Sequence, residues 1–281
     1  MSLEERLAQA IEGENVEEVK SLLEQGANIN YGMHAIFMAV TKNKDIVQLL
    51  LSHGADVNDE LREFEESEDG DIIARTYTPI TFMFMDELNE SNKRNKIDIL
   101  KLLLQADVNP NTTCNYEDSR GIMLISMLLH TNPEILFLLL TFGAKLKNED
   151  LTIIGASRYL QRCFTEFEQI KAMPHLGKLI EANIKKEGAK TIAEYINNEA
   201  KGQELIQEFK TIKEKYSSDK QLSFVPQYLS DFINHISLTL NKKADEFLSE
   251  LKNVCQNPST VSTKSQLEGI EPLAKRQRME R

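Results

Sequence analysis

Three groups of residues in this sequence of 281 could do chemistry: five histidines, three cysteines and a knot of carboxylates. His34, His53, His130, His175 and His235 have no His or Cys partner at metal-ligand spacing, and no HExxH, GxSxG or phosphate-loop glycine pattern occurs. They read as surface or packing residues. Cys114, Cys163 and Cys255 form no CxxC. Cys163 lies beside aromatics in RCFTEF and reads as core, and neither Cys114 nor Cys255 has a basic neighbour to lower its thiol pKa. The carboxylates of ESEDGD (residues 66–71) surround a glycine, as calcium ligands can, but lack the spaced series of an EF-hand loop. Four polar residues of LLLSHGADVN (residues 49–58) follow an apolar run and could pass for a site. The same grammar recurs in SLLEQGANIN (21–30), LKLLLQADVN (100–109) and, worn down, LLLTFGAKLKN (138–148). A pattern written four times is punctuation of a fold. No catalytic residue, metal or cofactor is expected.

Charge narrows the partners. Residues 1–150 hold 13 Lys/Arg against 27 Asp/Glu, whereas residues 151–256 hold 15 against 14 and residues 257–281 hold 5 against 3. An acidic first half repels phosphate backbones and favours basic or neutral protein surfaces, so no nucleic acid is expected. The longest apolar runs, such as ILFLLL, are far shorter than the roughly 18–20 residues that span a bilayer. Unpaired cysteines and the absence of a secretory leader pattern suggest a reducing, cytoplasmic setting.

The elements that position the polar clusters are apolar runs of helical period: VEEVKSLLEQG, DIVQLLLSHG, IDILKLLLQ and PEILFLLLTFG. Gly26, Gly54 and Gly143 fall just past them, where a left-handed residue closes a helix C-terminus. Ala27, Ala55, Ala106 and Ala144 are small enough for the next element to pass closely. Asn28, Asn30, Asp56, Asn58, Asp107 and Asn109 are turn formers.

These fragments resemble ankyrin repeats, units of about 33 residues made of a turn and two antiparallel helices. GADVN carries the resemblance most strongly. The family's threonine-proline-leucine-histidine start survives as TPIT (78–81), where Pro79 suits the first helical position and Thr78 the cap. Four irregular repeats are expected, at roughly 3–30, 31–58, 76–109 and 120–148. The resemblance implies protein binding without catalysis. NPEILFLLL (132–140) also resembles the start of an F-box, but the repeat register assigns it to a second ankyrin helix.

The departures mark candidate function. Residues 59–75, DELREFEESEDGDIIAR, enlarge one connection with eight acidic residues against one Arg before Ile72. Their composition reads as a solvated, partly disordered loop, with an enlarged binding finger as the functional alternative. Interface energy concentrates in aromatic, Met and Arg anchors. The candidate partner-binding residues are therefore Tyr31 and Met33, Arg62 and Phe64, and Tyr77, Tyr116 and Arg120.

From Leu151 the repeats stop while helical periodicity continues, as in Leu205, Phe209, Ile212 and Tyr216. The chain thus reads as all-α: an ankyrin-repeat domain (1–150), a helical bundle or capping domain (151–256) and a disordered tail (257–281). Irregular repeats, a helical region and a polar tail are together similar to ankyrin-repeat effectors that intracellular bacteria deliver into host cells. That resemblance implies a C-terminal translocation signal, with a monomer binding a host protein. Two alternatives are an unrecognised enzyme or toxin in 151–256 and a non-secreted scaffold.

Overall fold

A computed structural model describes residues 1–30, 35–66, 72–85, 88–89, 91–116, 119–123, 132–237 and 242–256, with the side chains of 65–66, 72–74, 113–116, 119–123, 242–246 and 255–256 excepted. The first six helices form three pairs, α1 (Leu3–Glu12) with α2 (Val16–Glu24), α3 (Ala35–Val40) with α4 (Lys44–Ser52), and α5 (Pro79–Met83) with α6 (Lys93–Gln105), and α7 (Pro133–Thr141) follows. Their starts are chemically marked. Ser2 and Glu5 form a reciprocal capping box on α1, and Asn15, Asn43 and Asn132 accept backbone N–H bonds at the starts of α2, α4 and α7. Thr78 donates its N–H to Thr81 Oγ1 (2.8 Å), with Pro79 at the first position of α5.

The apolar faces dictate the stacking. Helices α1, α3 and α5 lie side by side, and α2, α4, α6 and α7 form a second row. Between the rows Ile11, Leu22, Ile36, Phe37, Ile46, Leu50, Ile80, Leu100 and Leu103 are buried, each contributing roughly 1.5–3 kcal/mol of burial against the unfolded chain. Phe37 meets Phe82 edge-on with ring centroids 5.7 Å apart.

Among the described residues, six helices end with the same closure. Its left-handed residue is Glu14, Gly26, Gly54, Asp107, Gly143 or Lys186, with φ of 53°, 89°, 87°, 66°, 93° and 61°. In each case the next residue's N–H reaches the carbonyl five positions earlier, at 2.7–3.0 Å. The repeat register therefore follows the paired leucines, Leu22-Leu23, Leu50-Leu51, Leu103-Leu104 and Leu139-Leu140. This corrects the reading of LKLLLQADVN, whose likeness to GADVN is out of register by two residues. Asp107 takes the glycine position and Val108 the alanine position, while Ala106 is the C-cap residue of α6. Aspartate tolerates that conformation because its short polar side chain bonds locally.

The enlarged connection differs from the solvated loop expected. It forms an antiparallel hairpin of β1 (Leu61–Glu66) and β2 (Ile72–Tyr77), with Leu61 opposite Tyr77 and Phe64 opposite Ala74. A second hairpin, β3 (Thr113–Tyr116) and β4 (Ser119–Met123), lies beside it, so β2 is flanked by β1 and β3.

The remaining helices are α8 (Asn148–Ala156), α9 (Arg158–Lys171), α10 (Leu176–Ile184), α11 (Gly188–Asn197), α12 (Glu199–Tyr216), α13 (Val225–Ser237) and α14 (Lys242–Gln256). Helices α9 and α13 pack on α7, and α11 to α14 pack on one another. The seam is apolar and aromatic: Phe137 meets Phe167 and Phe224 edge-on, and Phe142 meets Phe232. Polar pins flank it. Tyr228 donates to Glu134 (2.5 Å), and Lys101 lies 3.9 Å above the Tyr228 ring while pairing with Asp231 (3.3 Å). The second half thus covers the end of the stack, as a solenoid's apolar terminal face requires.

Candidate protein-binding surface

The candidate surface grows from the turns. Asn28 and Asp56 accept the N–H of Asn30 and Asn58 two residues on, at 3.0 and 2.8 Å, and Asn109 does the same for Asn111 at 3.0 Å. The fourth position past the closure does something different. Asn58 Nδ2 donates to the Asp107 carbonyl (3.3 Å) while its Oδ1 accepts the Asn109 N–H (2.8 Å). Asn111 repeats this one step along, donating to the Gly143 carbonyl (3.1 Å) and accepting from Lys145 N–H (2.7 Å). These side chains therefore clasp successive turns together rather than shaping only their own. The hairpins rise from the clasped turns, β1 three residues after Asn58 and β3 two residues after Asn111.

On the first hairpin Phe64 is 72% exposed, a large apolar side chain in water. Arg62 shares its face of the strand, is also exposed, and pairs with Glu60 at 3.2 Å. Such an exposed pair contributes little stability and leaves the guanidinium available. Tyr77 requires a correction. Expected at a loop tip as a partner contact, it is 2% exposed, because its place opposite Leu61 turns it toward the core, where it meets Phe82 edge-on at 5.8 Å. Tyr116 ends β3 opposite Ser119 and Arg120 lies on β4; their side chains lie outside the described residues. Tyr31 and Met33 lie outside them altogether, as does most of the ESEDGD carboxylate knot. Of the seven expected anchors, the structure brings Arg62 and Phe64 together.

The second half also concentrates titratable groups, and they engage one another. Arg162 bonds Asp219 and also Gln221 (3.0 Å). Burial alone would raise the Glu166 carboxyl, but hydrogen bonds from Lys215 and Tyr216 outweigh it and hold the group below its ordinary range. Burial, then the same bond to Glu166, pushes the Tyr216 hydroxyl up. Burial also pushes the Cys163 thiol up to about 12, with its Sγ directed at the Pro133 carbonyl (3.3 Å). A thiol held protonated there is packing, not a nucleophile. Glu208 receives the backbone N–H groups of His175 and Leu176 at 3.1 and 2.8 Å, placing a carboxylate at the start of α10. These pairs tie helices together, and among the described residues no group of His, Cys, Asp and Glu suits a metal ion.

Sequence reasoning missed the clasps and one cross-link. Lys186, left-handed at the end of α10, pairs with Asp107, left-handed at the end of α6. Each stands out in sequence only as a charged residue where a glycine would be easiest. No helix among the described residues is long and apolar enough to cross a membrane. No curated protein matches the chain. Residues 4–60 match the family model described as ankyrin repeats in three copies, a family that is in general non-catalytic, and the N-terminal part of this mostly helical chain is accordingly built of ankyrin repeats.

Proposed function

We propose that this chain is a non-catalytic binding module whose partner, a protein with a basic or neutral face, docks on the hairpins of the acidic ankyrin stack. The observation that carries this reading is Phe64, a bulky apolar side chain exposed beside Arg62 on a hairpin whose flanking residues are acidic. An anchor aromatic with a neighbouring Arg is the composition in which interface energy concentrates. Helices 151–256 then serve to cover the end of the stack. The test is affinity purification with the full chain, comparing wild type with Arg62→Glu/Phe64→Ala and with a control change at exposed Glu214. Selective loss of the same partners from the hairpin variant supports the surface; unchanged capture removes it.

The finer reading is that the module is an effector delivered into a host cell by an intracellular bacterium, acting there as a monomer. It rests on the combination of irregular repeats, helical region and polar C-terminal segment. A translocation reporter fused upstream, with and without residues 257–281, decides it: transfer lost with the segment supports delivery, and unchanged transfer removes the segment's role.

A further inference from the structure

Strand β1 is hydrogen-bonded to β2 alone; β3 lies near β2 in a separate two-stranded sheet, and no other described element packs substantially along β1. A strand in that position presents backbone N–H and C=O groups that can template another strand. Its composition says which strand. Residues 59–66 carry five acidic side chains and one Arg, and the exposed Phe64 alternates with the exposed Glu63. An incoming extended segment would place alternate side chains on the two faces, one row beside Phe64 and the other beside Glu63. Apolar residues suit the first row and Lys or Arg the second. A second copy of β1 is a poor occupant, because it would set glutamates against glutamates.

We infer that β1 accepts a further strand from its partner: an extended segment alternating Lys or Arg with β-branched or aromatic residues, hydrogen-bonded along Leu61–Glu66. The inference rests on the proposed hairpin surface and specifies how that surface is used.

The probe is a short capped peptide alternating Lys and Val, titrated against the full-length protein. Amide exchange across residues 61–66 is followed alongside affinity. Two comparison peptides carry the same charge: one has its central amides N-methylated, and the other gathers its lysines and valines into separate blocks. Strand addition slows exchange in β1, is lost on N-methylation, and weakens about threefold to fivefold in Phe64→Ala, the scale of one cross-strand pair. Equal binding by the N-methylated peptide, or no binding by the alternating one, overturns strand addition. Neither result touches the partner-capture comparison between wild type and the hairpin variant, so the two readings fail separately.

Discussion

Replacing Asn111 by Ala removes both bonds of one clasp, the donation to the Gly143 carbonyl and the acceptance from Lys145 N–H. A hydrogen bond contributes about 1 kcal/mol net, and this side chain is half-buried, so the loss should approach 2 kcal/mol. Asn58 makes the same pair of bonds from an exposed position where water competes, so Asn58→Ala should cost about 1 kcal/mol. For a chain of this size the Asn111 change should lower Tm by about 4–8 °C. Asn111→Asp keeps the acceptor for Lys145 and loses the donor to Gly143, so it should recover part of the loss. Urea unfolding followed by far-UV circular dichroism gives the free energies, and amide exchange at Lys145 and Asn109 reports each clasp locally. Values for both alanine variants within about 0.3 kcal/mol of wild type, with Lys145 exchange unchanged, would refute the idea that the turns are held together by these side chains.

Three further outcomes follow from the same geometry. Gly143→Ala should cost clearly more than Gly54→Ala: both glycines are left-handed, costing about 1–2 kcal/mol for a Cβ, but only at Gly143 would that Cβ also meet Ile184, 2.9 Å away. Paired denaturation curves decide it. With its pKa pushed up to about 12, Cys163 should resist a thiol reagent in the native protein at neutral pH and react only as the chain unfolds, which labelling with and without denaturant measures. His235 has its pKa pushed down by burial, so the folded chain resists a proton that the unfolded chain accepts below about pH 6.5. Its contribution should leave stability unchanged above that pH and reduce it as pH falls further; a pH series in which His235→Phe shows the same decline as wild type would remove this assignment.

Some of this fold is plain in the residues. The second helices announce themselves through leucines at helical spacing, and Gly26, Gly54 and Gly143 take the left-handed conformation their position suggests. The third turn misled because ADVN matches a familiar fragment, while the closure is set by backbone bonds to Leu103 and Leu104 and accepts Asp107. The first hairpin was hidden by its charge. LREFEE offers too few apolar residues to display an alternating period, and its pairing depends on IIARTY across the turn. Tyr77 looked like a tip aromatic, yet it is the last strand residue before Thr78 and Pro79 and faces inward. Of the expected anchors, Arg62 and Phe64 follow from residue type within a departure from the repeat, and the structure leaves both exposed on one face of β1. The clasps were not, since Asn58 and Asn111 find their partners in turns that only the stacking brings near.

Asn58 has a mechanical consequence. It sits at the root of the first hairpin and grips the turn at the root of the second, where Asp107 is in turn held by Lys186 from the end of α10. The two hairpins therefore share a root: separating them at their bases means breaking both bonds of the Asn58 clasp, while the exposed Asp107–Lys186 pair beyond it adds little resistance.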